Sequence, residues 1–327
     1  MAMGEKKVTM TILAGDIGGT NTRLALFEEN KTLLRQKTFP SKKYGSLNEI
    51  VKQFLEEKVK IACFGIAGPV KNNQCHATNL PWIIDGHHLE EERGIGSVFL
   101  INDLEANAFG IRALKKEEFF VLNEGDVQQK GNEALISAGT GLGEAGLFWD
   151  GKEYEPFACE GGHGDFAPRD EEEIELLLFL KQEFGHVSYE RVLSGPGMYN
   201  IYRFYVEKKG KKGFESSVDP KQIPREITKS ATGGGCEAAT LALDRFIRIY
   251  GAEAGNTALR FLSLSGLYLG GGIAPRVVNK MKEGGFMEAF FSKGRFEEFL
   301  RKIPVKVVMN DQAALLGSLE CALLRGK

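Results

Sequence analysis

The sequence predicts an α/β protein of two domains, and three observations carry that prediction. The chain has 327 residues, more than one ordinary hydrophobic core organises. Strand-like and helix-like segments alternate through its first third. A strand–glycine turn–strand unit occurs twice, as LAGDIGGTNTRLALF and as LISAGTGLGEAGLFW, which suggests two related halves facing each other.

Residues 9–14 are β-branched and apolar and stop at glycine, the pattern of a buried strand. A turn over 15–20 and a strand over 22–27 follow, with another turn at 28–31. Residues 46–58 set Leu47, Ile50, Val51 and Phe54 on one helical face. Strands are expected at 61–66 and 97–101, the second ending in Asn102 and Asp103, with a helix over 104–114. The second meander spans 133–149. Beyond it the pattern turns helical. Residues 171–184 carry an acidic first turn, the favourable helix end for negative charge. Helical pieces at 190–192 and 197–206 flank a break at 194–197, and 208–221 reads as an exposed loop. A helix over 236–262, strands at 267–269 and 305–308 and a closing helix over 311–324 complete the chain.

Composition is that of a globular protein, 43% hydrophobic and 26% charged, with a formal net charge of −2. Nothing in that balance points to a nucleic-acid or membrane partner. The five cysteines are widely spaced, without a zinc pattern, and fit a reducing compartment. The N-terminus lacks a signal peptide's apolar stretch, and no apolar run is long enough for a bilayer. A soluble cytoplasmic protein is expected.

Five constellations carry chemistry. In Asp16-Ile17-Gly18-Gly19-Thr20-Asn21, glycines allow backbone N–H groups to approach phosphate oxygens, and Asp16 suits magnesium held through water. No Gly-Lys-Ser/Thr follows, and a strand rather than a helix comes next, so this is neither a P-loop nor a dinucleotide fingerprint. Gly139-Thr140-Gly141-Leu142-Gly143 repeats the pattern, with a threonine hydroxyl to offer phosphate. Singly each is also an ordinary hairpin turn; paired, they favour two phosphate-facing hairpins.

Asp103, at a strand end, suits the proton acceptor for an attacking hydroxyl. Asn102 followed by Glu105 also resembles a capping box, a compatible second reading. In Glu160-Gly161-Gly162-His163 a carboxylate and an imidazole can address one polyol; a solvated loop and a core histidine are the alternatives. Gly270-Gly271-Gly272 after a strand lets a flat ring lie against backbone, whereas Gly233-Gly234-Gly235 reads as a plain loop. The charged runs at 90–93 and 169–173 read as solvated faces.

In their order these pieces resemble the bacterial glucokinase family of the actin, heat-shock chaperone and hexokinase superfamily. The resembling segments are GDIGGTNTRLALF, FGIAGPV, TNLPW, INDLEANAFG, GTGLGEAGL, EGGHGDFAPRD, YERVLSGPG, GGGIAPR and LLGS. The resemblance implies a two-domain actin-like ATPase (ribonuclease H-like) fold with a central interdomain cleft. A small domain would take residues 1–114 plus 309–327, and a large one 115–308.

It further implies that Asp103 is the base for the 6-hydroxyl of glucose. Asn79, Asn102, Glu160, His163 and Glu190 would join it in holding the sugar. Asp16, Gly18, Gly19, Thr20, Asn21, Thr140 and Gly141 would face ATP phosphate and Mg2+, and Gly271 and Gly272 would border adenosine. A homodimer is expected. The zinc loop of the repressor-and-kinase relatives has no counterpart here. The implied activity is glucokinase, with a kinase for fructose, mannose or an N-acetylated sugar, or a non-catalytic regulator, as the alternatives.

Overall fold

The computed structural model describes residues 11–214, 222–233 and 235–326. The chain divides into two compact units, Met1–Lys115 with Asn310–Lys327, and Lys116–Met309.

The first unit is built on the five-stranded sheet β3-β2-β1-β4-β8. Its strands are β1 (Thr11–Ile17), β2 (Asn21–Glu28), β3 (Leu33–Pro40), β4 (Ile61–Ile66) and β8 (Ser97–Asn102). Between the last two lie a small sheet of β5 (Val70–Lys71), β6 (Gln74–His76) and β7 (Ile83–Asp85), and helix α2 (Gly86–Arg93). β1 pairs antiparallel with β2 and parallel with β4, and β4 pairs parallel with β8. A run buried on both faces marks such central strands, and all six residues of β4 are buried.

Helix α1 (Leu47–Phe54) covers one face, burying Leu47, Ile50, Val51 and Phe54. Each such side chain contributes about 1.5–3 kcal/mol when fully buried. Ser46 caps it by accepting the Glu49 N–H. The expected end at 58 is corrected to Phe54: Arg35 donates to the Phe54 carbonyl and to Glu57, both at 2.8 Å, and Leu55 is already extended.

The second unit repeats the plan. It contains β9 (Phe119–Asn123), β10 (Glu133–Ala138), β11 (Leu142–Trp149), β12 (Tyr154–Cys159), β13 (Gly266–Gly270) and β14 (Val305–Val308). Their order is β12-β11-β10-β13-β14-β9. Apart from β9, each sheet reads third, second, first, fourth, fifth along its own unit, with the first three strands as an antiparallel meander. The twofold likeness seen in the two glycine-turn segments therefore extends to whole sheets.

The helices after β12 are α4 (Glu171–Phe184), α5 (Gly195–Arg203), α6 (Ile223–Gly233) and α7 (Glu237–Phe261), then α8 (Ala274–Met281), α9 (Gly285–Phe291) and α10 (Glu297–Arg301). The break expected at 194–197 is the start of α5: Ser194 caps it through the Gly197 N–H, and Pro196 sits in the first turn, where its missing N–H costs nothing. Gly233, read as loop, ends α6; Gly234 lies outside the described residues. So do Thr9, Met10 and residues 215–221 of the 208–221 segment; Phe204–Lys208 is a π-helical turn running into an irregular stretch.

The run at 169–173 is not a solvated face. Glu173 is fully buried, its carboxylate between Arg169 and Arg245.

Helix α3 (Asp103–Ile111) leaves β8, and the closing helix α11 (Ala313–Arg325) returns to the first unit beside it. A Cβ on Gly110 would lie 1.9 Å from the Ala313 carbonyl oxygen, and one on Gly317 1.7 Å from that of Ala106. Only glycine permits these helices to touch backbone to backbone. Ser318, fully buried, donates to the Gly15 carbonyl at 2.8 Å and accepts the Gly65 N–H at 3.2 Å, tying α11 to β1 and β4.

Candidate active site

Asp16 lies near the end of β1, inside the strand rather than in the turn, directly across from Arg23. The turn closes with the Gly18 N–H donating to the Asn21 carbonyl at 2.9 Å. The Gly18 amide is thus engaged within the turn, and Thr20 and Asn21 stand exposed at the tip. Ser41 braces the turn from behind. Its hydroxyl donates to the Gly18 carbonyl at 2.7 Å, and its N–H donates to the Thr20 carbonyl at 3.0 Å. Asn79, expected among the sugar residues, packs here: a Cβ on Gly19 would come within 2.5 Å of the Asn79 Cβ.

Burial pushes the Asp16 carboxyl above its usual range, opposed by Arg23 and reinforced by Asp311. Arg23 donates to the Asp311 carbonyl at 2.7 Å and to its carboxylate at 2.9 Å. Asp311 was legible only as the start of the closing helix; no local pattern ties it to a turn near residue 20.

Strand register fixes Asp103. Ile17 is level with Ile66, and Ile66 with Asn102, so β8 ends two strands from the turn, about 10 Å away across the sheet. Both lie at the carboxyl ends of parallel strands, where α/β sheets bind ligands. Asn102 is engaged twice: Oδ1 accepts the Leu104 N–H at 2.8 Å, and Nδ2 donates to the Gly68 carbonyl at 3.1 Å. Glu105 accepts the Asn102 N–H, completing the capping box. Asp103 is the first residue of α3, half-buried, with Oδ1 3.0 Å from the Leu104 nitrogen. The capping reading is realised, and it leaves Asp103 at the strand end.

In the second unit the Gly139 N–H donates to the Gly141 carbonyl at 2.9 Å, and Thr140 is exposed at the tip. Ser137 is level with Gly270, so Gly271 and Gly272 emerge at the same sheet end. Gly271 has φ 78°, and a Cβ there would sit 2.3 Å from the Ala138 carbonyl oxygen, so both conformation and space require glycine. Glu190, in a 3-10 turn over Tyr189–Arg191, accepts the Leu142 N–H at 3.0 Å.

The loop of Glu160 and His163 lies flat on the start of β11. A Cβ on Gly162 would meet the Leu142 carbonyl oxygen at 2.1 Å, and one on Gly161 would meet the Glu144 carboxylate at 2.3 Å. That contact explains the glycine pair. Glu160 and His163 are exposed and face each other at 3.8 Å. The histidine is therefore no core residue, and Leu142 links its loop to Glu190.

A cavity of about 530 Å³ opens between α5, α6 and α8. Met198, Pro224, Ile273 and Val277 give it an apolar lining, and Arg225, Lys229 and Arg276 add positive charge. It suits a flat base attached to an anion. The α6 contribution has no counterpart in the sequence analysis, which assigns no element to residues 224–229.

The sequence profile of the Glucokinase family matches residues 13–324. A glucokinase of Nostoc punctiforme is 39% identical over 95% of this chain and 98% of its own length. A crystal structure of glucokinase from an Antarctic psychrotroph is 33% identical, covers 95% of this chain and 98% of the other, and has a TM-score of 0.84. Glucokinase from Balamuthia mandrillaris, solved in complex with glucose, shares the fold at 19% identity and TM-score 0.82, over 98% of this chain and 96% of that one. The fold is the two-domain actin-like ATPase fold. With its glycine-tipped hairpins and a profile match across nearly its whole length, the chain belongs to the glucokinase family.

Proposed function

We propose that this ATP-dependent hexose kinase transfers the γ-phosphate of ATP to the 6-hydroxyl of glucose with Asp103 as the base. One observation carries the reading. In each unit a glycine-tipped hairpin stands at the end of its sheet beside polar groups suited to a polyol: Asn102 and Asp103 in one, Glu160, His163 and Glu190 in the other.

In phosphoryl transfer the protein chiefly positions reactants and neutralises charge. Thr140 and Gly141 of one turn and Gly19, Thr20 and Asn21 of the other would face the phosphates, with adenosine along Gly271 and Gly272 and its base in the cavity of Met198 and Val277. Glu160, His163, Glu190, Asn102 and Asn79 would orient the sugar. Asp103 takes the hydroxyl proton as the oxygen bonds to phosphorus and the bond to ADP breaks.

Magnesium fits the residues present. Asp16 is a hard oxygen donor whose carboxyl is held up by burial and by Asp311, a strain that a cation relieves. Among the described residues no cluster of three or more His, Cys, Asp or Glu could hold a metal ion. An ion bound through one carboxylate, waters and ATP oxygens matches magnesium's habits. When bound, it neutralises charge on the phosphates.

A cytoplasmic location, the domain limits 1–114 with 309–327 and 115–308, and a homodimer belong to the same proposal and rest on the family resemblance. No helix among the described residues is long and apolar enough to cross a membrane.

The test is ADP release with magnesium-ATP across glucose, fructose, mannose and N-acetylglucosamine. Glucose is expected to give the highest kcat/KM. No sugar-dependent release overturns the reading, and a clear preference for another hexose overturns the substrate.

A further inference from the structure

Beneath the loop of Glu160 and His163 lies a charged cluster that phosphoryl transfer does not use. Glu144 of β11 is 1% exposed and Glu253 of α7 is 0% exposed. One guanidinium serves both: Arg260 Nη2 is 3.3 Å from Glu144 Oε2 and pairs with Glu253, with Thr257 Oγ1 at 3.3 Å. Asn256 Nδ2 donates to Glu253 at 2.7 Å and lies 3.1 Å from the Tyr189 hydroxyl, while Lys293 donates to Asn256 Oδ1 at 2.6 Å. Buried charges in such number are costly unless well paired, so an array that only supported the fold would be replaceable by apolar residues.

The cluster meets the sugar loop at two places. The Glu144 carboxylate lies directly against Gly161. Tyr189 donates its N–H to the Gly164 carbonyl at 2.9 Å and precedes Glu190. Glu160, His163 and Glu190 each adjoin a residue that the cluster touches or contains: Gly161, Gly164 and Tyr189.

We propose that Glu144, Glu253 and Arg260 are positioning residues for glucose, and that one proton shared between the two carboxylates sets the fit of the Glu160–His163 loop to the sugar. The proposal deepens the glucose reading given above and rests on it. The Arg260 guanidinium they share brings the two carboxylates together. Burial, with the facing Glu253 acting in the same direction and Arg260 opposing, raises Glu144 to about 7. Facing Glu144 are Glu253, Thr257, Arg260 and Tyr250 from α7, Cys159 from β12 and Gly161 from the loop; Glu160 faces Cys159, Tyr189 faces Glu253, and Lys293 lies beyond Asn256. Protonated, Glu144 shares a hydrogen bond with Glu253; ionised, the two repel. The protonated form is the one that seats the loop.

The test is the glucose KM from pH 6 to 8, beside kcat and the ATP KM, in the parent, Glu144→Gln and Glu144→Ala. The parent's glucose KM is expected to rise severalfold with pH. Gln mimics the protonated acid, so E144Q is expected to hold the low value across the range. E144A is expected to raise the glucose KM about tenfold at every pH, with kcat and the ATP KM within about twofold. An E144Q profile superimposable on the parent's overturns the proposal, as does an E144A protein with the parent's glucose KM. Should either variant misfold, Arg260→Lys replaces it: a raised glucose KM at constant kcat is expected, and parental values overturn. A parent without glucose-dependent turnover sinks the glucose reading itself, whereas an active parent with a flat KM profile sinks only this inference.

Discussion

The carboxylate of Glu190 accepts the backbone N–H of Leu142 at 3.0 Å, so a residue proposed to hold the sugar also holds the end of the second glycine turn. Glu190→Ala is expected to raise the KM for glucose and for ATP together, each by about tenfold, the loss of one charge-assisted hydrogen bond being about 1.5–3 kcal/mol. Glu190→Gln keeps an acceptor for Leu142 and is expected to restore the ATP KM alone. Two-substrate steady-state kinetics read this; an ATP KM untouched by the alanine would separate the two roles.

Asp103, the proposed base, starts α3 at the end of β8. Asp103→Ala is expected to lower kcat by about 10²–10⁴-fold, the usual contribution of general base catalysis. Calorimetric glucose binding is expected to change by less than about threefold. A variant that turns over near the parental rate removes Asp103 from the reaction.

Ser318 bridges β1, β4 and α11 from a fully buried position. Ser318→Ala leaves the Gly65 N–H without that acceptor, a cost of about 1–3 kcal/mol. Urea unfolding is expected to show this loss in the first unit, along with weaker ATP binding, because Gly15 leads into the turn proposed to face the phosphates. Parental midpoints would show that another group takes over.

Glu144 gives stability a definite pH dependence. Its carboxyl is raised from 4.5 to about 7 in the folded chain, so between those values the native state binds more protons than the unfolded one. Its contribution falls as pH rises through that window and is flat above it. Lys293, lowered from 10.5 to about 8, works oppositely in the alkaline range, where stability rises with pH. The urea midpoint is expected to drop more from pH 5 to 8 in the parent than in Glu144→Gln. Parallel curves would contradict the assignment.

Much of this was legible in the sequence where local chemistry decides. Strands 61–66 and 305–308 and helix 171–184 match residue for residue, because burial patterns and an acidic helix start are local signals. β3 was missed because an edge strand with two exposed leucines and two basic residues, Arg35 and Lys37, shows little burial. α8 and α9 were missed because glycines flank them, and glycine also marks loops. The buried Glu144 was unreadable in principle, since its arginine partner lies 116 positions away; Glu173 has Arg169 four positions away, but its second partner, Arg245, lies 72 positions away. The pairing of Arg23 with Asp311 spans 288 positions and is set by topology alone.

The late return of α11 has a consequence for synthesis. The core residues Ile12, Ala14 and Cys63 of the first unit's strands pack against Leu315, Leu319 and Ala322, which are synthesised only after the whole of the second unit. The second unit can be assembled while the first still presents an open apolar face, and a nascent chain stalled before Ala313 would reach the chaperones with its first-made strands still waiting for their lid.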